Sequence, residues 1–184
     1  MIDFDFSLDE QDRIQNLAFE YRNEAEKCQS AGAYLSGCIL MGSALEALLL
    51  TTINCFPQLV LKAKSVPKKN GKIKHFAEWG LADLIKVANE LTLLPSGLSP
   101  NDDWNTANAQ IGDYTDIIRQ IRNLVHPGRY LKELGWEKIP KEYLEACFNI
   151  VDAASEYLSK VIESSHTMLL DEQEKRKNKK SRPQ

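Results

Sequence analysis

Apolar residues recur at helical spacing along most of this chain. From residue 8 to about 30, Ile14, Leu17, Ala18, Tyr21, Ala25 and Cys28 mark one face of a first helix. Ser7-Leu8-Asp9-Glu10 before it has the form of a capping box, in which the Ser7 hydroxyl and the Glu10 carboxylate satisfy each other's free backbone N–H groups. A second helix is expected over Ala33 to Cys55. It is apolar nearly all round, as a central buried helix would be, and Pro57 stops it. Gly37 and Gly42 lower its intrinsic stability but let a neighbour approach closely.

Residues 57–74 are rich in lysine and broken by Pro67 and Asn70-Gly71. They read as a mobile connection with at most one short helical turn. A third helix is expected over about Phe76 to Leu93, with Trp79, Leu84, Val87, Ala88 and Leu91 inward. Pro95, Gly97 and Pro100 then make a loop. A fourth helix begins near Trp104 or Asn108 and carries Ile111, Tyr114, Ile117, Ile118, Ile121 and Val125 to its end at Pro127-Gly128, with His126 at its terminus. A fifth starts near Pro140 and presents Tyr143, Cys147, Ile150, Val151, Ala154, Leu158, Val161 and Ile162. The fold class expected is an all-α bundle of about five main helices over residues 1–170. A charged tail over 171–184 is expected to be disordered, since apolar residues cease there.

Composition changes this picture little. The chain of 184 residues suffices for one core. Glu46 at the middle of the most apolar stretch argues for a soluble core helix rather than a membrane span. The start is acidic and has no apolar run behind it, unlike a signal peptide, so a cytoplasmic location is expected. Cys28, Cys38, Cys55 and Cys147 form no close pair, which argues against a zinc site and for small core residues in a reducing compartment. The net charge of −3 disfavours a nucleic-acid binder acting through its whole surface. The charge is uneven, however: the tail carries +3, and Lys62, Lys64, Lys68, Lys69, Lys72 and Lys74 cluster around the Asn70-Gly71 turn. That cluster could contact RNA phosphates or be a solvated loop.

The string from Asp113 to Tyr130 is the chemically informative one. Arg119, Arg122 and His126 stand at i, i+3 and i+7, one face of a continuous helix, with Asn123 beside them. Guanidinium groups bind phosphate through paired N–H donors, and an imidazole moves a proton near neutral pH. The trio suits phosphate-ester chemistry, with His126 taking the 2′-hydroxyl proton of RNA and no metal or cofactor needed. The same residues also suit a helix C-terminus, whose free carbonyls and dipole favour cations. Glu46, a carboxylate on the buried helix, needs a cation, and Arg119 or Arg122 is the natural one. Arg129 and Tyr130 either extend a phosphate-binding surface or are ordinary loop residues. Trp79, Trp104 and Trp136 read as core or loop anchors, and His75 and His166 have no partner spacing.

The Arg-Asn-Leu-Val-His-Pro-Gly string resembles the signature of the HEPN superfamily of all-α domains, an arginine followed after four to six residues by a histidine. Arg119 has the family's distance to His126, and Arg122-Asn123 supplies its Arg-polar pair. Gly42-Ser-Ala-Leu-Glu46-Ala-Leu-Leu is similar to the central helix of such proteins, Leu81-Ala-Asp-Leu-Ile85 and Leu93-Leu-Pro95 to their third, and the likeness spans about residues 8–165. The resemblance implies one of two fates. One is a metal-independent endoribonuclease working as a homodimer in a toxin–antitoxin or phage-defence system, opposed by an antitoxin. The other is a non-catalytic module that binds a protein or nucleotide. A purely structural helical adaptor is a third reading.

Overall fold

A computed structural model describes residues 4–97 and 109–180, with side chains as far as Ser165. The bundle is assembled around α2 (Tyr34–Asn54), which packs against α1 (Leu8–Ser30), α4 (Leu81–Glu90), α5 (Ile111–Arg122) and α7 (Lys141–Lys180). Neighbours on every side require the all-round apolar pattern of α2, and Met41, Leu45, Leu49 and Ile53 are fully buried. By length and composition α2 could cross a membrane, but 61% of its apolar window is buried inside the bundle, as befits a core helix. Gly37 lets Leu144 of α7 seat against the α2 backbone, where a Cβ would lie 2.6 Å from a leucine methyl.

α1 begins as its sequence dictates. The Glu10 N–H donates to Ser7 Oγ and the Ser7 N–H to Glu10 Oε2. Asn54 at the end of α2 secures the segment before α1, accepting from the Phe6 N–H at 2.8 Å and donating to Gln11 Oε1 at 2.6 Å. Arg22 forks onto Asp152 of α7 at 2.8 and 2.9 Å and lies 5.4 Å from the centre of the Phe148 ring, which ties the first helix to the last.

Several elements depart from expectation. The lysine-rich connection is built, not formless. It holds a helical turn, α3 (Pro57–Val60), and a hairpin of β1 (Lys68–Lys69) and β2 (Lys72–Ile73), antiparallel with Lys68 opposite Ile73 and Lys69 opposite Lys72. Asn70 and Gly71 both take positive φ, 52° and 78°, as a two-residue hairpin turn requires. The helix expected over 76–93 is split. Phe76–Glu78 form a 3₁₀ turn, Trp79 is extended, and α4 starts only after Gly80. Core packing explains the break: Trp79 meets Phe76 edge-on at 4.9 Å while its indole N–H donates to the Lys74 carbonyl, which a helical Trp79 would forgo.

α5 begins at Ile111, and the expected starts at Trp104 and Asn108, like Pro100, lie outside the described residues. α7 runs from Lys141 to Lys180, past the boundary at 171 drawn for the charged tail. The Glu, Gln, Lys and Arg of that stretch are strong helix formers even without an apolar face. Among the cysteines, Cys38 and Cys147 are buried as expected, whereas Cys55 is exposed at the end of α2.

Candidate functional site

The end of α5 is shaped by Pro127. Proline disfavours helical backbone in the residue before it, and His126 is extended at φ −81°, ψ 116°. The helix therefore stops at Arg122, Asn123–Val125 tighten into a 3₁₀ turn, and a further helix, α6 (Pro127–Leu134), starts with the proline at its first position. Pro127-Gly128 thus opens one helix as well as closing the one before it. The continuous face assumed by the i, i+3, i+7 spacing ends at Arg122, and the three basic side chains have three different surroundings.

Arg119 is held locally. Its Nε and Nη2 donate to the two Asp116 oxygens at 2.6 and 3.0 Å, and Gln120 donates to the same carboxylate at 3.0 Å. Burial raises the Asp116 pKa, but the hydrogen bonds from Arg119 and Gln120, with the charges of Arg119 and Arg129, outweigh it and hold the carboxyl below its ordinary value. The Asp116 hydrogen bond in turn raises the Arg119 pKa. This pair lines a cleft of about 890 Å³ between α4, α5 and α7, floored by Ile85, Ile117, Ile121 and Leu124.

Arg122 turns the other way, across to α2. Its Nη1 pairs with Glu46 Oε2, and both side chains are well covered, at 31% and 24% exposure. Its methylene stem lies on Gly42, one helical turn before Glu46. A Cβ there would come within 2.7 Å of Arg122 Cδ and 3.1 Å of its Cβ and Cγ. Gly42 and Glu46 therefore act together, one as a gap for the stem and the other as an anchor for the head. Of the two arginines that could meet Glu46, the structure selects Arg122. Nε and Nη2, the side-on fork that binds phosphate in two-point fashion, make no hydrogen bond among the described residues.

His126 is exposed, and its imidazole makes no capping hydrogen bond. Its backbone is fully engaged: the N–H donates to Asn123 O at 3.1 Å, and the carbonyl accepts from the N–H groups of Arg129 and Tyr130, each at 3.0 Å. Asn123 is half-buried at the start of the 3₁₀ turn. Arg129 and Tyr130 lie in α6 rather than in a loop. Arg129 pairs with Glu133 at 3.1 Å, and the Tyr130 hydroxyl donates to Glu137 O at 2.9 Å, which fastens the end of α6. Val125 just before His126, Leu131 within α6 and Trp136 past its end are exposed at 48%, 55% and 96%.

Sequence reasoning did not single out Asp116 or the role of Gly42 as the seat of an arginine. The Asp116-x-x-Arg119 spacing was the available signal for the first. Among the described residues, no group of three or more His, Cys, Asp or Glu side chains is placed to hold a metal ion. No family model, curated protein or solved structure matches the chain.

Proposed function

We propose that this protein is a HEPN-like, metal-independent endoribonuclease acting inside the cell, in which His126 is the general base and Arg122 holds the scissile phosphate. The observation that carries the reading is a sequence of two groups on either side of one 3₁₀ turn: a guanidinium anchored by Glu46 whose side-on fork makes no hydrogen bond among the described residues, and, four residues on, an exposed imidazole with no hydrogen bond among them. His126 would take the 2′-hydroxyl proton of RNA, and the oxygen would attack the adjacent phosphorus as the bond to the 5′-oxygen breaks. The product ends would be a 2′,3′-cyclic phosphate and a 5′-hydroxyl. Arg122 would stabilise the charge that builds on the phosphoryl oxygens, and Asn123 would orient the nucleotide or the imidazole. Arg119, whose fork is filled by Asp116, would support the field of the site from the neighbouring cleft.

The exposed Val125, Leu131 and Trp136, on the segment that carries His126 and α6, favour a second copy of the chain on this part of the surface, so that two histidines would share one cleft. The same three residues also favour the alternative, a non-catalytic module that binds a protein partner such as an antitoxin there. One experiment separates the two. Purified protein is incubated with mixed RNA in EDTA beside its His126→Ala variant. Cleavage by wild type alone, leaving cyclic-phosphate ends, is the expected result. No cleavage by either protein would sink the nuclease and leave the binding module.

A further inference from the structure

We propose that the hairpin Lys68–Ile73, with the lysines that flank it, is a docking surface for the phosphate backbone of single-stranded RNA. Residues 57–75 contain six lysines and no acidic residue. Among the described residues, none of Lys62, Lys68, Lys69, Lys72 and Lys74 has an ion-pair partner. One carboxylate that does reach this segment, Glu90, is committed to the backbone: it accepts from the N–H groups of Lys64 and Ser65 at 2.6 and 2.8 Å. Register then sets Lys69 directly opposite Lys72, where like charges repel across the ladder. No carboxylate among the described residues pairs with either lysine, and a polyanion laid across the tip would relieve the repulsion.

The lysines also stand on a fixed base. Val60, Ala63, Val66 and Phe76 bury the two ends of the segment, Glu90 fastens its middle, and Lys74 N–H donates to Pro67 O at the hairpin's foot. Charge presented on such a scaffold loses less conformational freedom on binding than charge on a free loop. The tip, Lys69-Asn70-Gly71-Lys72, has no apolar side chain to insert into lipid, which favours a phosphodiester chain over a membrane. The choice of RNA among polyanions rests on the nuclease reading above, for which this surface would hold the substrate.

Binding of a fluorescein-labelled single-stranded RNA is followed by anisotropy on the full chain carrying His126→Ala, so that nothing is cut. Three proteins are compared: this background, the background with Lys68→Gln, Lys69→Gln and Lys72→Gln, and the background with the same three lysines changed to Arg. The glutamine triple should bind at least tenfold more weakly, and its log–log salt slope should fall by about 2, the release expected for three lost phosphate contacts on a single strand. The arginine triple, which keeps the charge, should bind like the background, and matched melting curves would show that all three proteins fold.

RNA affinity unchanged by the glutamine triple would overturn the proposal. So would no RNA binding by the background, or loss of binding to phosphatidylserine vesicles with RNA binding intact. The nuclease reading fails separately: hairpin-dependent binding without cleavage by wild type sinks the nuclease alone, and cleavage with hairpin-independent binding sinks the docking surface alone.

Discussion

Arg122 and Glu46 are 76 positions apart in the chain and form an ion pair between α5 and α2, with the arginine stem lying on Gly42. The pair is covered enough for solvent to screen it only in part. Glu46→Gln should cost about 1–2 kcal/mol, because it leaves a half-buried guanidinium without its counter-charge. A double-mutant cycle with Arg122→Gln, read by urea unfolding, should return a coupling of about 1 kcal/mol or more. The matching cycle for Asp116 and Arg119, an i, i+3 pair on one helix, should return only about 0.3–0.5 kcal/mol. Equal couplings would contradict the distinction drawn between the two arginines.

The two glycines Gly42 and Gly128 should respond oppositely to alanine. At Gly42 the gain in helix propensity of about 1 kcal/mol is set against a Cβ wedged into the Arg122 stem, and over-packing of about 1–3 kcal/mol should win. At Gly128, in α6, a Cβ meets nothing within 4 Å, and alanine should stabilise by about 0.5–1 kcal/mol. Thermal melts of the two variants decide this. A stabilised Gly42→Ala would mean that Arg122 is free to move aside.

His126→Ala should leave stability within about 0.5 kcal/mol of wild type, since the imidazole is exposed and makes no hydrogen bond among the described residues. A larger loss would show that the side chain is structural and would take away its freedom to act on a substrate.

Glu90 gives a pH signature. The backbone N–H groups of Lys64 and Ser65 hold its carboxyl well below the ordinary carboxylate value, at about 2. A depressed folded-state pKa stabilises the fold fully above the unfolded value near 4.5, and the contribution is lost as pH falls through the folded value. Glu90→Gln should therefore lower Tm at pH 7. Its gap from wild type should narrow as pH falls from about 4.5 through about 2 and close only at still lower pH, once the Glu90 carboxyl is fully protonated. A gap independent of pH would show that shape, not charge, holds the Lys64–Ser65 turn.

Arg22→Lys should cost about 0.5–1 kcal/mol although the charge is kept, because an ammonium cannot reproduce the two-point contact with Asp152. Chemical denaturation of the single variant, beside Asp152→Asn, tests the clamp between α1 and α7.

Much of the bundle was legible because it is local or periodic. The Ser7–Glu10 box needs only four residues, and the all-round apolar α2 announces a helix with neighbours on every side. Even the carboxylate of Glu46 could be matched to an arginine, since a buried charge demands one. What escaped notice depends on groups distant in sequence or on backbone turns too short for periodicity. Trp79 leaves the helical path to reach the Lys74 carbonyl and the Phe76 ring, and no pattern within 76–93 announces that. The β-strands beside Asn70-Gly71 are two residues long, below the length at which alternation can be seen. At the site, Pro127 does end the helix before it, but the spacing of Arg119, Arg122 and His126 does not show that the last turn tightens to 3₁₀ and that the proline also founds α6, so the three no longer share a face.

The junction at His126 has an entropic consequence. Its N–H is taken by the turn behind it and its carbonyl by the helix ahead, so the backbone that carries the imidazole is already fixed on both sides. Only the two side-chain torsions remain to be ordered when the ring meets another molecule. The freezing cost is that of one short aromatic side chain, on the order of 1 kcal/mol, without the further cost of organising a loop. An otherwise unremarkable surface histidine is in this way a group whose position is decided before anything binds and whose orientation is decided only afterwards.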